Sequence, residues 1–242
     1  LGKHAKNNLM TKIKLIWTLL CVLTIQIFSA QTEVKKPADA FDLYFKAFVN
    51  KNETALKALN DYMRPTVEGK DMYAIDFTEG NSEMIANMSD NFLSIFSPAA
   101  AKANKKEAED YFAAMIKNFN EATYKISSAK LVDNEYVKGE KIAEISYRVT
   151  FKMPKEASDD ILSVYKNKNP KTLKADELKQ LLISLKNTYS NATKEESVDR
   201  QVSLYQRKEK GKIYYNSGNI YEEIVTNLTD FYFGSDDELA EE

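Results

Sequence analysis

Ala143-Glu144-Ile145-Ser146-Tyr147-Arg148-Val149-Thr150-Phe151-Lys152 alternates without a break for ten residues. Apolar residues at 143, 145, 147, 149 and 151 alternate with polar ones, so an extended strand here has one oily face and one wet face. That is the pattern of an antiparallel strand buried on one side. Tyr124 to Val132 reads as its hairpin partner, with Asn134 and Gly139 in the connection. Val198, Val202 and Leu204 alternate on a further strand, which turns at Glu209-Lys210-Gly211-Lys212 into Ile213–Tyr215. Between the hairpins a helical insert fits 172–189, with Leu178, Leu181, Leu182, Leu185 and Tyr189 on one face.

Upstream the period changes to that of helices. Phe41, Tyr44, Phe45, Phe48 and Val49 predict a helix over 38–50. Asn52 is placed to cap a second, with Ala55, Leu56, Leu59, Tyr62 and Met63 inward, and Arg64-Pro65 ends it because the residue before Pro avoids helical geometry. Residues 66–78 are read as irregular with a short strand near Met72 to Phe77. A third helix fits 83–96, burying Ile85, Met88, Phe92, Ile95 and Phe96. A fourth carries Ala108, Tyr111, Phe112, Met115, Ile116 and Phe119, with Asn104 and Glu107 spaced as a capping box. The chain closes with a helix over 219–232. Helices first and a meander after predict an α+β fold: N-terminal helices packed on a curved antiparallel sheet, a helical insert between hairpins and a C-terminal helix.

The N-terminus reads as an export signal. Lys12 and Lys14 follow Met10, an apolar run extends from Leu15 to Phe28, and Ser29-Ala30-Gln31 closes it with small residues. The run is about 14 residues, against roughly 20 for a spanning helix. Cleavage after Ala30 is the expected outcome; an uncleaved anchor and lipid attachment at Cys21 are the alternatives, although Leu20 stands where a lipobox wants a small residue. The expected organisation is 1–30 upstream residues and cleaved signal, 31–37 a short tether, 38–234 one α+β domain and 235–242 an acidic disordered tail. The destination is exported, periplasmic or secreted, with no membrane span after cleavage.

Removing 1–30 takes four lysines (Lys3, Lys6, Lys12, Lys14) and no acid from 34 basic and 36 acidic residues, which shifts the net charge from −2 to −6. That balance argues against nucleic acid as a partner. The same cut removes the single His, Cys and Trp: His4, Cys21 and Trp17. A mature chain without imidazole or thiol excludes Ser-His-Asp and Cys-His nucleophiles, His/Cys zinc sites and thiol redox chemistry. No G-x-x-x-x-G-K-[ST], G-x-G-x-x-G or calcium-loop motif occurs, so no cofactor is expected. Of four N-x-[ST] sequons, the one at Asn52 is better explained as a helix cap.

Pro37-Ala38-Asp39-Ala40-Phe41 opening one helix, a second from Asn52 to Met63, and hairpins ending Val202-Ser203-Leu204-Tyr205 and Lys210-Gly211-Lys212-Ile213 resemble the NTF2-like (SnoaL-like) superfamily, in particular its small exported bacterial proteins of uncharacterised function. The likeness spans residues 37–65 and 105–216. It implies a curved sheet wrapped around helices as a cone with an open pocket. The insert near 155–195, the C-terminal helix, and Ile213-Tyr214 where a Trp often follows Gly-Lys depart from that pattern. The catalytic His of the family's enzymes has no counterpart here.

Fourteen Tyr and twelve Phe supply aromatic walls, and Tyr suits pockets because it joins an apolar face to a polar tip. Tyr147 and Phe151 on the best strand, with Tyr44 and Tyr111 on helix stripes, are the candidate binding residues; plain core packing is the competing reading. Arg200 is the fifth. It shares the parity of Val198, Val202 and Leu204, so it points inward, where a charge must be paired or face a wet cavity. It reads as a pocket Arg for an anion, as half of a buried salt bridge, or as exposed if the strand begins only at Gln201. The expected function is a non-catalytic exported domain binding a small apolar or amphipathic ligand, or a partner segment, in the cone. The alternatives are a carboxylate/Tyr-based enzyme and an envelope assembly or scaffold protein, the latter pairing as a homodimer through the outer sheet face.

Overall fold

The computed structural model describes residues 32–155, 168–219 and 221–233. The expected signal, most of the insert's first part and the acidic tail lie outside them. The chain runs β1 (Thr32–Glu33), α1 (Pro37–Phe48), α2 (Glu53–Met63), a 3-10 turn (Arg64–Thr66), α3 (Phe77–Leu93), α4 (Pro98–Ala103) and α5 (Lys105–Asn120). It continues β2 (Thr123–Asp133), β3 (Lys141–Met153), α6 (Ala175–Ser190), β4 (Lys194–Glu209), β5 (Lys212–Asn216), a π-helix (Tyr221–Thr226) and α7 (Asn227–Phe233). The fold is α+β. The sheet order is β1-β5-β4-β3-β2, antiparallel except for the two-residue β1, which pairs parallel to β5. The segment expected as a tether therefore donates a strand.

The sheet forms where period-two alternation predicts it. In β3, Ala143, Ile145, Tyr147, Val149 and Phe151 are buried while Arg148 and Lys152 are exposed. Lys210 and Gly211 both adopt positive φ (47° and 75°), which makes the β4–β5 connection a two-residue turn of the kind whose twist suits a hairpin. A bulge between Ile126 and Ser128 interrupts the β2 register and bends that edge of the sheet.

Helix α1 lies on the apolar face of this sheet. Its stripe of Phe41, Tyr44, Phe45 and Phe48 is buried, and Phe41 sits 4.6 Å from the Tyr147 ring. Phe45 sits 4.3 Å from Tyr124. Tyr62 of α2 accepts a 2.7 Å hydrogen bond from the Tyr215 amide, and Tyr44 donates to the Tyr215 carbonyl at 3.2 Å. Both main-chain groups of one β5 residue are thus held by helix side chains. At the other end of β3, Phe119 of α5 stacks on Phe151 at 5.7 Å, and Tyr232 of α7 meets the same ring at 5.3 Å. Helices α3 and α6 both pack on α5, through Phe92 and Tyr189 against Tyr111 and Phe112.

Asn52 caps α2 as expected, accepting from the Ala55 amide at 2.9 Å. Three expectations are corrected. Helix α3 starts at Phe77 rather than 83, because Asp76 caps it through the Thr78 and Glu79 amides, and Ile95 falls past its end and is exposed. Asn104 makes no capping box; its amide instead donates to the Ala100 and Ala175 carbonyls, tying α4 to α6. Met72–Asp76 forms no strand, and Phe77 already belongs to α3. The Tyr73 backbone is paired by a side chain: Asn60 accepts from the Tyr73 amide at 2.9 Å and donates to the Tyr73 carbonyl at 2.8 Å.

That last contact predicts a measurable cost. Asn60 is buried, and Asn60→Ala removes both bonds and leaves the Tyr73 groups unmatched, a loss of about 2 kcal/mol. The cap variant Asn52→Ala should lose about 1 kcal/mol. Denaturant unfolding reads both as lower midpoints at unchanged slope.

Candidate functional site

The structure brings three of the five sequence candidates together and separates the others. Tyr147 and Arg200 are direct cross-strand partners in the β3–β4 ladder, and Phe151 follows on the same face of β3. Strand β4 begins at Lys194, so Arg200 lies mid-strand and inward, and the reading that put it outside the strand is corrected. Tyr44 is fully buried at the β5 end, on the Tyr215 carbonyl. Tyr111 lies in the helical layer, edge-on to Tyr189 at 5.8 Å.

The face that these residues share is filled by side chains. Tyr147 is 1% exposed, and Tyr44 and Phe151 are fully buried. Phe41 and Phe45 lie against Tyr147, while Phe119, Phe231 and Tyr232 lie against Phe151. These residues work as core in the structure described.

Arg200 has an unusual environment. One terminal nitrogen donates to its neighbour's carbonyl, Asp199 O, at 3.1 Å, and the other to Asn227 O of α7 at 3.2 Å. The guanidinium stands 5.9 Å over the Phe231 ring. The adjacent Asp199 carboxylate is engaged on the opposite face, where Arg148 grips it with 2.8 and 2.7 Å bonds. Arg200 Nε and the Tyr147 hydroxyl are both buried and have no hydrogen-bond partner. Burial pushes the Tyr147 phenol well above its ordinary value; Arg200 pulls it down and the Glu223 carboxylate pushes it up.

Open space lies elsewhere. A cavity of about 510 Å³ runs along α3, lined by Lys51, Ile75, Phe77, Gly80, Met84 and Asn87 among others. A second of about 500 Å³ runs along α2, lined by Leu56, Asn60, Tyr73 and Ile75 among others. The two share Ile75, Asp76 and Phe77, so segment 75–77 is a rib between two troughs. Ile75 and Met84 are among the few large apolar side chains left exposed, at 42% and 37%. Lys51 adopts a positive φ of 52° and reaches over the Phe77 ring at 5.4 Å; burial lowers its pKa. Sequence reading missed this region because its features come from residues in turns and from an unmatched helix face, not from a motif.

Among the described residues, the carboxylates whose pKa moves clearly are Asp61, Glu107, Asp110, Glu177 and Asp199. All five are lowered through hydrogen bonds to lysine or arginine or, for Glu177, first to the Lys174 backbone. Such groups are held ionised, the opposite of a carboxyl raised toward neutrality for general acid work. Asp76 caps α3 and Asp71 pairs with Arg64. Among the described residues, no group of three or more His, Cys, Asp or Glu is arranged to hold a metal.

No family model matches the chain, and no curated protein matches it. Among solved structures it is similar to the crystal structure of a "putative lipoprotein" from Bacillus subtilis, with 11% identity, 75% of this chain covered and a TM-score of 0.34. The match covers 55% of that protein, so the chain spans about half its length.

The tyrosines make a pH prediction. Tyr147, Tyr111 and Tyr232 are pushed well above their ordinary value mainly by burial, and Tyr215 is pushed up to about 12. A native phenol that holds its proton longer than the unfolded one contributes stability below the unfolded pKa and loses it above. Unfolding midpoints should therefore be flat near about pH 8 and fall as pH rises past about 10, with native tyrosinate absorbance lagging behind that of the denatured chain.

Proposed function

We propose that the chain is an exported, non-catalytic interaction domain that holds an extended segment of a partner polypeptide in the double trough between α2 and α3. The observation that carries this reading is the pair of adjoining cavities on either side of the 75–77 rib, set against a sheet face that is packed closed. Binding sites are by default concave and part apolar, with a few converging polar groups. Here Ile75 and Met84 offer apolar contact, and methionine adapts its shape to what it meets. Asn81, Asn87 and Asn91 line the same cavity with side-chain amides. An amide offers both a donor and an acceptor, which suits it to a peptide main chain. Asn60 already holds the extended Tyr73 backbone that way within this protein.

Export is supported by Lys12 and Lys14 ahead of the 15–28 apolar run and by the small residues that close it. No described helix is long and apolar enough to cross a membrane. The scaffold that goes with this reading is NTF2-like, supported by α1 and α2 lying against two long hairpins. On this scaffold the C-terminal segment fills the cone, so the partner is held outside it.

Gly80 supplies a test that does not depend on destabilising anything. It lies inside α3, and a Cβ built there meets nothing within 4 Å. Gly80→Leu should leave stability unchanged or raise it by up to about 1 kcal/mol, since glycine is a poor helix former. The same change should block the trough and abolish enrichment of extended peptides from a displayed random library, as should Ile75→Asp. Peptides that enrich equally on wild type and both variants, or none enriching on wild type, would refute the trough.

A further inference from the structure

We infer that the inner face of β3–β4 carries a second, latent ligand site for a small amphipathic carboxylate, with Tyr147 Oη and Arg200 Nε as its two donors and residues 221–233 as its cover. Two buried donors with nothing to donate to is an unusual state, because each forfeits its hydration without return. Here they stand side by side, on residues directly opposite each other across the β3–β4 ladder. One is a neutral phenol and the other a guanidinium N–H, and a carboxylate accepts from both with charge assistance from the second. The wall beside them is apolar and aromatic: Phe151 below, and Phe231, over which the guanidinium rests. A polar head at the donors and an alkyl chain along that wall is the ligand shape the surroundings describe.

The cover explains why the site is closed. Residues 221–226 form a π-helix, a rare conformation frequently found at functional sites. Its Glu223 has one carboxylate oxygen buried and acts electrostatically on Tyr147. The cover thus brings a carboxylate of its own toward the donors. Arg200 binds the cover as well, through Asn227 O and the Phe231 ring. An incoming carboxylate would take the Tyr147 and Arg200 donors as the cover shifts, with Glu223 moving out.

Decanoate and decanol, both below their aggregation limits, separate head-group recognition from oily adsorption by titration calorimetry on the full mature chain. Decanoate should bind at least tenfold tighter than decanol. Tyr147→Phe removes one hydroxyl from a fully packed ring, keeps the fold, and should weaken decanoate about tenfold while leaving decanol unchanged. Glu223→Gln removes the competing carboxylate and should tighten decanoate about tenfold. No decanoate binding in wild type or in Glu223→Gln, equal affinity for both probes, or a Tyr147→Phe variant that binds decanoate normally would overturn the site. So would a high-resolution crystal structure with a water bridging the two donors that decanoate does not displace. Peptide capture in the α2–α3 trough is untouched by any of these outcomes, so the two sites stand or fall separately.

Discussion

Phe41 against Tyr147, with ring centres 4.6 Å apart, is the contact around which the molecule is arranged. A long antiparallel sheet with one apolar face has to cover that face, and α1 is only 12 residues long. It covers the centre of the sheet and reaches Tyr124 and Tyr215 at either side. The rest of the face, around Phe151, is left to α5 and to the C-terminal segment, which meet there through Phe119, Phe231 and Tyr232. Burying aromatic rings of this size contributes roughly 1.5–3 kcal/mol each, so the covering is a large part of what keeps the chain folded without disulfides.

That covering leaves the open space on the outside. Among the described residues the inner face of the sheet is filled by side chains, and two cavities of about 500 Å³ lie where helices meet irregular chain, along α2, α3 and the 75–77 rib. The apolar stripe of α3 explains why. Only Phe77, Ser89 and Leu93 are buried along its 17 residues, so much of its surface is left for something else. The inner face is not uniformly inert, however. The Arg200 guanidinium there donates to the Asp199 and Asn227 carbonyls and stands over the Phe231 ring, so the 221–233 segment holds it.

Much of this was legible in the sequence wherever one periodicity ruled. The alternation through Ala143–Lys152 located β3 and its buried face, and the same parity argument placed Arg200 inward seven residues into β4. Asn52 and Pro65 marked the ends of α2 by local chemistry alone. The misses share a cause. Asp76 caps α3, but the stripe after it is too weak to announce a helix before residue 83. The stretch Met72–Phe77 has a strand-like composition, yet Phe77 starts α3 and the Tyr73 backbone is paired by the Asn60 side chain, 13 residues back. Asn104 has the spacing of a cap but is drawn to Ala175, 71 residues ahead. Stripe position told that Tyr44 and Tyr111 are buried, but it could not tell that one meets β5 and the other Tyr189. Contacts between distant segments decide such cases, and no local pattern encodes them.

On this reading the inner sheet face is closed core under α1 but only covered under residues 221–233. Native-state hydrogen exchange measured residue by residue under rising denaturant tests it most directly. The amides of 221–233 should exchange together through a partial opening, at a free energy well below that of β3 and α1. Exchange of 221–233 only through global unfolding, at the same free energy as β3, would contradict it.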